Sequence, residues 1–266
     1  MTELSNDPVL VDIDSRGVAT VTLNNPDKHN AFDDEIISQL TQVFTDISEN
    51  EEVRLMVLAA NGKSFCAGAD LGWMKRMANY SYQENLHDAN GLANMLKALN
   101  FIPQPTIAKI QGAAFGGAVG LASCCDIVIA SEKASFSLSE VKFGLIPATI
   151  SPYVVSAIGI KAARRYFQTA ERFFADKAQQ LGLVDEVTTP EELNTSVDNM
   201  INTLLANGPI AMRQAKQLVF DVAYKNIDQN LISETSKRIA AIRISEEGQE
   251  GLGSFFEKRS PNWHKE

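Results

Sequence analysis

Apolar and polar residues alternate along the first part of the chain, which is the pattern of half-buried β-strands. The alternation covers residues 9–14 (VLVDID) and 18–23 (VATVTL), with a glycine-containing turn between them. Residues 36–47 then place apolar side chains at helical spacing, and Asp33 or Asp34 can cap the start of that helix. The pattern therefore predicts a β-hairpin followed by an amphipathic helix.

Short apolar runs alternate with helical patterns through the middle of the chain. The runs have the length and composition of buried strands, and proline residues before the second run exclude a continued helix. This order predicts βαβ units around a largely parallel sheet, the α/β class, in which ligands bind at the carboxyl ends of strands. The predicted strands lie within residues 54–60, 103–112 and 126–131, and the predicted helices are 71–79, 82–101 and 116–125.

From about residue 190 the pattern is helical only. Helices without strands to cover must bury their apolar faces on the preceding core or on another subunit, so an oligomer is expected. We therefore expect a core at residues 1–190 and a helical C-terminal region at residues 191–266. The predicted helices of that region are 191–206, 209–225, 228–245 and 247–258.

Composition narrows the class of protein. The chain has 266 residues, 45% hydrophobic and 21% charged, which is ordinary for a globular enzyme. Its net charge of −9 and pI near 5.0 argue against a nucleic-acid partner or an anionic membrane surface. Cys66, Cys124 and Cys125 form no CxxC pair, and no signal-peptide pattern or membrane-length apolar run is present. We expect a cytoplasmic protein with no membrane partner.

The candidate catalytic group is Glu140, which lies among small and apolar residues in the segment ASFSLSEVKFGLIP (134–147). A carboxylate in such surroundings tends to have a raised pKa, which suits it to transfer protons near neutral pH. The sequence lacks the motifs that are typical of other catalytic classes. His29, His87 and His264 are scattered without an HExxH pattern, so no metal is expected, and neither a GxSxG elbow nor a P-loop is present.

Four segments, taken together and in this order, carry a resemblance to a known family. They are FCAGADL (65–71), IQGAAFGGAVGLASCCDIVIA (110–130), FSLSEVKFGLIP (136–147) and QQLGLVDEV (179–187). With them the chain resembles the crotonase (enoyl-CoA hydratase/isomerase) superfamily over nearly its whole length. More narrowly, ADLGWMKRM, CCDI and LSEVKFGLIPATISPYVV look like hydratases of 3-methylglutaconyl-CoA and of its isoprenoid-extended relatives, such as isohexenylglutaconyl-CoA.

The resemblance implies a crotonase-like ββα spiral core with a helical C-terminal region, assembled as a homotrimer or a dimer of trimers. It implies an acyl-CoA thioester as the partner, with coenzyme A as part of the substrate. No separate cofactor and no metal are implied. The expected reaction is the addition of water across the α,β double bond of a branched, carboxylated enoyl-CoA.

The resemblance also implies roles for three residues. Backbone N–H groups of Ala69 and Gly117 would form an oxyanion hole for the thioester oxygen, and Glu140 would handle the proton. Small residues allow the backbone to approach closely, and Gly117 opens a predicted helix whose amino end carries partial positive charge. Without the resemblance, the glycines could be packing residues and Glu140 a first-turn helix carboxylate on the surface.

The chain departs from the two-carboxylate hydratases at Gly120, where those enzymes carry a second glutamate. Glycine cannot transfer a proton, so three explanations stay open. Glu140 alone activates water and returns a proton to the α-carbon; or another group, including the substrate's own carboxylate, holds the water; or the reaction is a double-bond isomerisation by one base. A catalytically silent CoA-binding relative is a further alternative.

The remaining binding residues come from the same resemblance. Coenzyme A would be held by the turn at residues 28–31 and by residues 67–71, mostly through the backbone, with Lys28 near phosphate. A carboxylated acyl tail would need a cation or a hydroxyl in the pocket, for which Lys75, Arg76, Lys142 and Tyr153 are candidates. Each of the four also fits a surface or packing residue, and Lys28 also fits a solvated loop charge. The predicted substrate-binding residues are Lys28, Ala31, Ala67, Gly68, Asp70, Leu71, Gly116, Gly120 and Pro147.

Overall fold

A computed structural model describes residues 7–264. Residues 1–6 of the predicted core and residues 265–266 of the predicted C-terminal region lie outside it. Its main sheet has six strands in the order β1-β2-β3-β4-β6-β9. The first pair is antiparallel, as the predicted hairpin requires, and the other neighbours are parallel. The strands are β1 (Val9–Ile13), β2 (Val18–Leu23), β3 (Leu55–Ala60), β4 (Thr106–Ile110), β6 (Ile127–Ser131) and β9 (Glu186–Thr188).

A second sheet has three strands, β5 (Ala113–Phe115), β7 (Ser135–Ser137) and β8 (Phe173–Phe174). Consecutive strands divide between the two sheets: β4 and β6 join the large sheet, while β5 and β7 join the small one. The small sheet is extended by two isolated bridges, from Cys66 to Ala114 and from Phe32 to Ala69. With these bridges it brings five separate parts of the chain side by side.

The helices cover both faces of the large sheet. On one face a core that includes Leu40, Leu96 and Leu121 packs between the sheets and the helices; on the other, Val197 and Ile201 pack on strand residues. The helices are α1 (Asp34–Glu49), α2 (Leu71–Met77), α3 (Tyr82–Asn100), α4 (Gly117–Cys124), α5 (Ser151–Thr169), α6 (Ala175–Leu181), α7 (Leu193–Leu205), α8 (Pro209–Val222), α9 (Gln229–Arg243) and α10 (Glu246–Glu257).

Arg54 anchors the C-terminal helices to the core. Its guanidinium donates to the carbonyls of Leu205, Asn207 and Trp263 at 2.9 to 3.0 Å. The helices beyond α7 still expose large apolar side chains, including Phe255 on α10, with 77% of its surface exposed. The oligomer stays a prediction. Among residues 7–264, no helix is long and apolar enough to cross a membrane.

Candidate active site

Ala69 lies in a short extended segment between Phe32 and the small sheet. The N–H of Phe32 donates to the carbonyl of Gly68 at 3.0 Å, and the N–H of Asp70 donates to the carbonyl of Phe32 at 2.9 Å. On its other edge, Cys66 exchanges hydrogen bonds with Ala113 and Phe115 of β5. Because Phe32 pairs with the residues on either side of Ala69, the N–H of Ala69 faces the edge toward β5. Within residues 7–264 it donates to no protein acceptor.

Gly117 begins α4 directly after β5 ends. The preceding Gly116 has φ of 54° and ψ of −121°, a conformation that glycine adopts most readily, and its N–H donates to the carbonyl of Ser137. As the first residue of the helix, Gly117 has an N–H without an intrahelical partner, and no acceptor in the described part of the chain takes it. The turn thus supplies a second free donor at a positive helix end.

Glu140 follows β7, and Gly116 follows its parallel neighbour β5. Both residues therefore lie at the same end of the small sheet. Its Oε1 lies 3.2 Å from the position that a Cβ on Gly116 would occupy. Its Oε2 is buried and has no hydrogen-bond partner in the described residues. Removal from water raises the pKa of the Glu140 carboxyl, partly opposed by its own backbone N–H. The carboxylate faces the turn that carries the Gly117 donor.

Gly120 lies one turn further along α4 and is enclosed by hydrocarbon. A Cβ at this position would stand 2.5 Å from Cγ2 of Ile150, 2.9 Å from its Cβ and 3.3 Å from Cδ2 of Leu96. Both neighbours are buried, Ile150 with 2% and Leu96 with 0% of its surface exposed. The fold therefore leaves no room for a carboxylate side chain at position 120.

Comparison with known proteins agrees with this geometry. The family described as enoyl-CoA hydratase/isomerase matches residues 14–266. The chain belongs to the enoyl-CoA hydratase/isomerase family. It is 32% identical over 244 residues to the short-chain-enoyl-CoA hydratase of Clostridium acetobutylicum, covering 91% of this chain and 92% of the relative.

Solved structures of the family match closely. An enoyl-CoA hydratase from Shewanella pealeana is 50% identical, with a TM-score of 0.93 over 97% of this chain and 96% of that one. An enoyl-CoA hydratase from Mycobacterium smegmatis is 32% identical, with a TM-score of 0.92 over 98% and 100%. The expected crotonase-like α/β fold is confirmed. The chain is an enzyme of the hydratase/isomerase kind, and its family acts on acyl-CoA thioesters.

The two segments predicted to bind coenzyme A lie next to each other. The N–H of Ala67 donates to the carbonyl of His29 at 3.0 Å, and Lys28 Nζ lies 3.2 Å from Asp70 Oδ2. Asp70 also caps α2, because its Oδ1 accepts from the N–H groups of Gly72 and Trp73. Lys28, Ala67 and Leu71 are exposed, whereas Gly68 and Pro147 are buried and Ala31 is half-buried. Their role in binding stays a prediction.

The four candidates for binding an acyl carboxylate lie in different surroundings. Lys142 is exposed in the same 3-10 turn as Glu140, and Lys75 is exposed on α2. Arg76 is ion-paired with Asp34. Tyr153 lines a cavity of about 360 Å³ whose lining includes none of Ala69, Gly117 and Glu140. Of these four candidates, Lys142 is the one that shares a secondary-structure element with Glu140.

Cavity size alone does not locate the site. A cavity of about 740 Å³ lies between α1 and α3, and its lining includes Asp34, His87 and Asp88 but none of the predicted catalytic residues. In the part of the chain that the structure describes, no group of three or more His, Cys, Asp or Glu side chains could hold a metal ion.

Sequence reasoning missed two residues next to the site, Phe32 and Ile150. Phe32 touches both segments that carry the predicted donors, and Ile150 fills the space beside Gly120. Both are single apolar residues whose neighbours are distant in sequence. The only local signal for Phe32 was its place directly after the turn at residues 28–31.

Proposed function

We propose that this chain adds water across the α,β double bond of a branched, carboxylated enoyl-CoA, of the 3-methylglutaconyl-CoA type. One observation carries the proposal: the half-buried Glu140 carboxylate lies against Gly116. The next residue, Gly117, has an N–H that no acceptor in residues 7–264 takes. The resemblance of residues 69–77 and 138–155 to methylglutaconyl-type hydratases supports the acyl group. Lys142, an exposed cation in the same 3-10 turn as Glu140, is the residue that we expect to bind the carboxylated tail.

The chemistry requires one base and two donors. The Glu140 carboxylate takes a proton from water as the water oxygen bonds to the β-carbon, and the electron pair of the double bond moves to the thioester oxygen. The N–H groups of Ala69 and Gly117 stabilise the resulting enolate; one such donor is worth about 2.7–4 kcal/mol. The α-carbon then takes the proton from Glu140, which restores the carboxylate. Ile150 closes the space beside Gly120, so a second carboxylate cannot act from that position, and we assign both transfers to Glu140.

The same closure favours a second candidate function, the movement of a double bond by a single base. Glu140 would take a proton from one carbon and return it to another. An absorbance assay separates the two functions. Loss of the conjugated enoyl signal with 3-methylglutaconyl-CoA supports hydration, and gain of that signal with a 3-enoyl-CoA supports isomerisation. No change with either substrate would reject both in favour of a silent CoA-binding protein.

The pH dependence of the proposed hydration follows from Glu140. The reaction needs the ionised carboxylate, and burial raises the pKa of that group above its ordinary value of 4.5. We therefore expect kcat/KM to fall on the acid side with a midpoint above 4.5, since kcat/KM reports ionisation of the free enzyme. A pH-rate profile measures this midpoint. Full activity maintained down to pH 4.5 would contradict the assignment of Glu140 as the base.

Lys28 provides a test of coenzyme A binding. Its side chain is 60% exposed and ion-paired with Asp70, and we expect it to lie near a phosphate of coenzyme A. For Lys28→Ala we expect KM for the acyl-CoA to rise about three- to tenfold with kcat unchanged, because a charge-assisted contact to the non-reacting end of the substrate is lost. Lys177→Ala, an exposed lysine on α6, is the control. An unchanged KM would remove Lys28 from the binding site.

A further inference from the structure

Phe32 contacts both of the segments that carry the N–H donors. Its backbone N–H and carbonyl bond to Gly68 and Asp70, the residues on either side of Ala69. Its ring points at Gly117: Cζ lies 2.4 Å, Cε2 3.2 Å and Cε1 3.4 Å from the position of a Cβ on that glycine. One side chain and its own backbone therefore span the distance between the two donors.

Phe32 is itself held in place. It is 2% exposed, and its ring packs against Trp73 with the centroids 6.4 Å apart. Trp73 is fixed in turn, because its Nε1–H donates to Asp88 Oδ1 at 3.0 Å. The residue after Phe32 is also fixed, because Asp33 caps α1 by accepting from the N–H of Ile36 at 3.0 Å. A packed ring between fixed neighbours can act as a rigid spacer.

We propose that Phe32 is a positioning residue that sets the separation between the N–H groups of Ala69 and Gly117. The inference rests on the proposed function, since it matters only if both groups bind the thioester oxygen. Donors stabilise an oxyanion when they lie about 2.7–3.1 Å from it, so a ring that fixes their spacing fixes how well both donors can bind one atom. In this role Phe32 acts indirectly: its ring and its main chain hold the two segments whose N–H groups bind the thioester oxygen.

The test compares Phe32→Leu with Phe44→Leu, a matched variant of a phenylalanine on α1 that is 0% exposed. Leucine at position 32 leaves the backbone pairing intact but withdraws the ring from Gly117. We expect kcat to fall about 10- to 100-fold in Phe32→Leu with a smaller change in KM, since misplacement by about 1 Å can cost 10²-fold. In Phe44→Leu we expect kcat within about twofold of the original, although both variants lose thermal stability. Phe32→Met, with a longer and more adaptable side chain, replaces Phe32→Leu if the leucine variant does not fold.

A spectroscopic measurement separates positioning from general damage. Butyryl-CoA labelled with ¹³C at the thioester carbon is saturated, so it cannot be hydrated, and isotope-edited infrared spectroscopy reports its carbonyl stretch when bound. We expect a shift to lower frequency in the original protein and in Phe44→Leu, and a smaller shift in Phe32→Leu at saturating ligand. Equal shifts in Phe32→Leu and in the original protein would overturn the role of Phe32. No shift in the original protein would overturn the oxyanion hole of the proposed function, and this inference with it.

Discussion

Glu140→Gln is expected to abolish turnover while leaving the fold intact. Glutamine is similar in size and shape, but it can neither take a proton from water nor return one to carbon. General acid and base catalysis is worth about 10²–10⁴-fold, and Glu140 performs both transfers, so we expect kcat to fall by about 10³-fold or more. Steady-state kinetics on 3-methylglutaconyl-CoA measure the loss. Glu191→Gln, at an exposed turn, is the matched control and should retain full activity.

The direction in which Glu140→Gln changes the stability of the fold can be predicted. Burial raises the pKa of Glu140 in the folded protein, so the folded state binds this proton more tightly than the unfolded chain. The resulting stabilisation is present below the ordinary value of 4.5 and is lost as pH rises through the folded-state pKa. At neutral pH the ionised group therefore costs folding free energy, and the variant should melt at the same temperature or higher.

The activity of Glu140→Gln decides the catalytic assignment. Retention of more than a few per cent of activity would remove Glu140 from its role.

Gly120→Glu has the second large expected effect, on folding rather than on chemistry. The new side chain would begin 2.5 Å from Ile150 Cγ2 and would add a carboxylate among buried apolar groups. Overpacking costs about 1–3 kcal/mol, and an unpaired buried carboxyl adds to it. We expect the melting temperature to fall by about 5–10 °C, with no gain in activity. Thermal denaturation measures this directly.

A second variant shows whether Ile150 is the cause. In Gly120→Glu/Ile150→Ala the colliding side chain is removed, so the double variant should melt above Gly120→Glu alone. If the two sites were independent, the double variant would melt below Gly120→Glu, because Ile150→Ala by itself removes buried packing. A large gain in activity of Gly120→Glu with short enoyl-CoA substrates would instead show that a carboxylate was all that the site lacked.

Much of the fold could be predicted because its elements have strong local signals. The hairpin of β1 and β2, the Asp33 cap of α1 and the short buried helix α4 all appear as predicted. The last four helices begin and end within a few residues of their predicted bounds. Alternation, capping and helical spacing are properties of neighbouring residues, which a sequence displays directly.

The elements between residues 132 and 188 were not predicted, and the reasons are physical. Strands β7, β8 and β9 have only two or three residues, too few for an alternating pattern to show. Helix α5 is interrupted by Gly159, which has φ of 74° and ψ of 159°. The three strands form because partners that are distant in sequence pair with them. Local pattern carries little information about such pairing.

The site was predictable only in part, for the same reason. Glu140, Ala69 and Gly117 came from a resemblance, since local pattern alone also fits a surface carboxylate and packing glycines. The closeness of Gly116 to Glu140 and the contacts of Phe32 and Ile150 join segments that meet only when the small sheet forms. No spacing along the chain could reveal them.

In the proposed mechanism, one carboxylate and two backbone donors add water to a polarised enoyl thioester. Its most direct test is the reaction of 3-methylglutaconyl-CoA in D₂O, with the product analysed by mass spectrometry and NMR. We expect a hydrated product with a hydroxyl at the β-carbon and one solvent deuterium at the α-carbon. Recovery of the substrate with deuterium exchanged into it but no water added, or with no change at all, would contradict it.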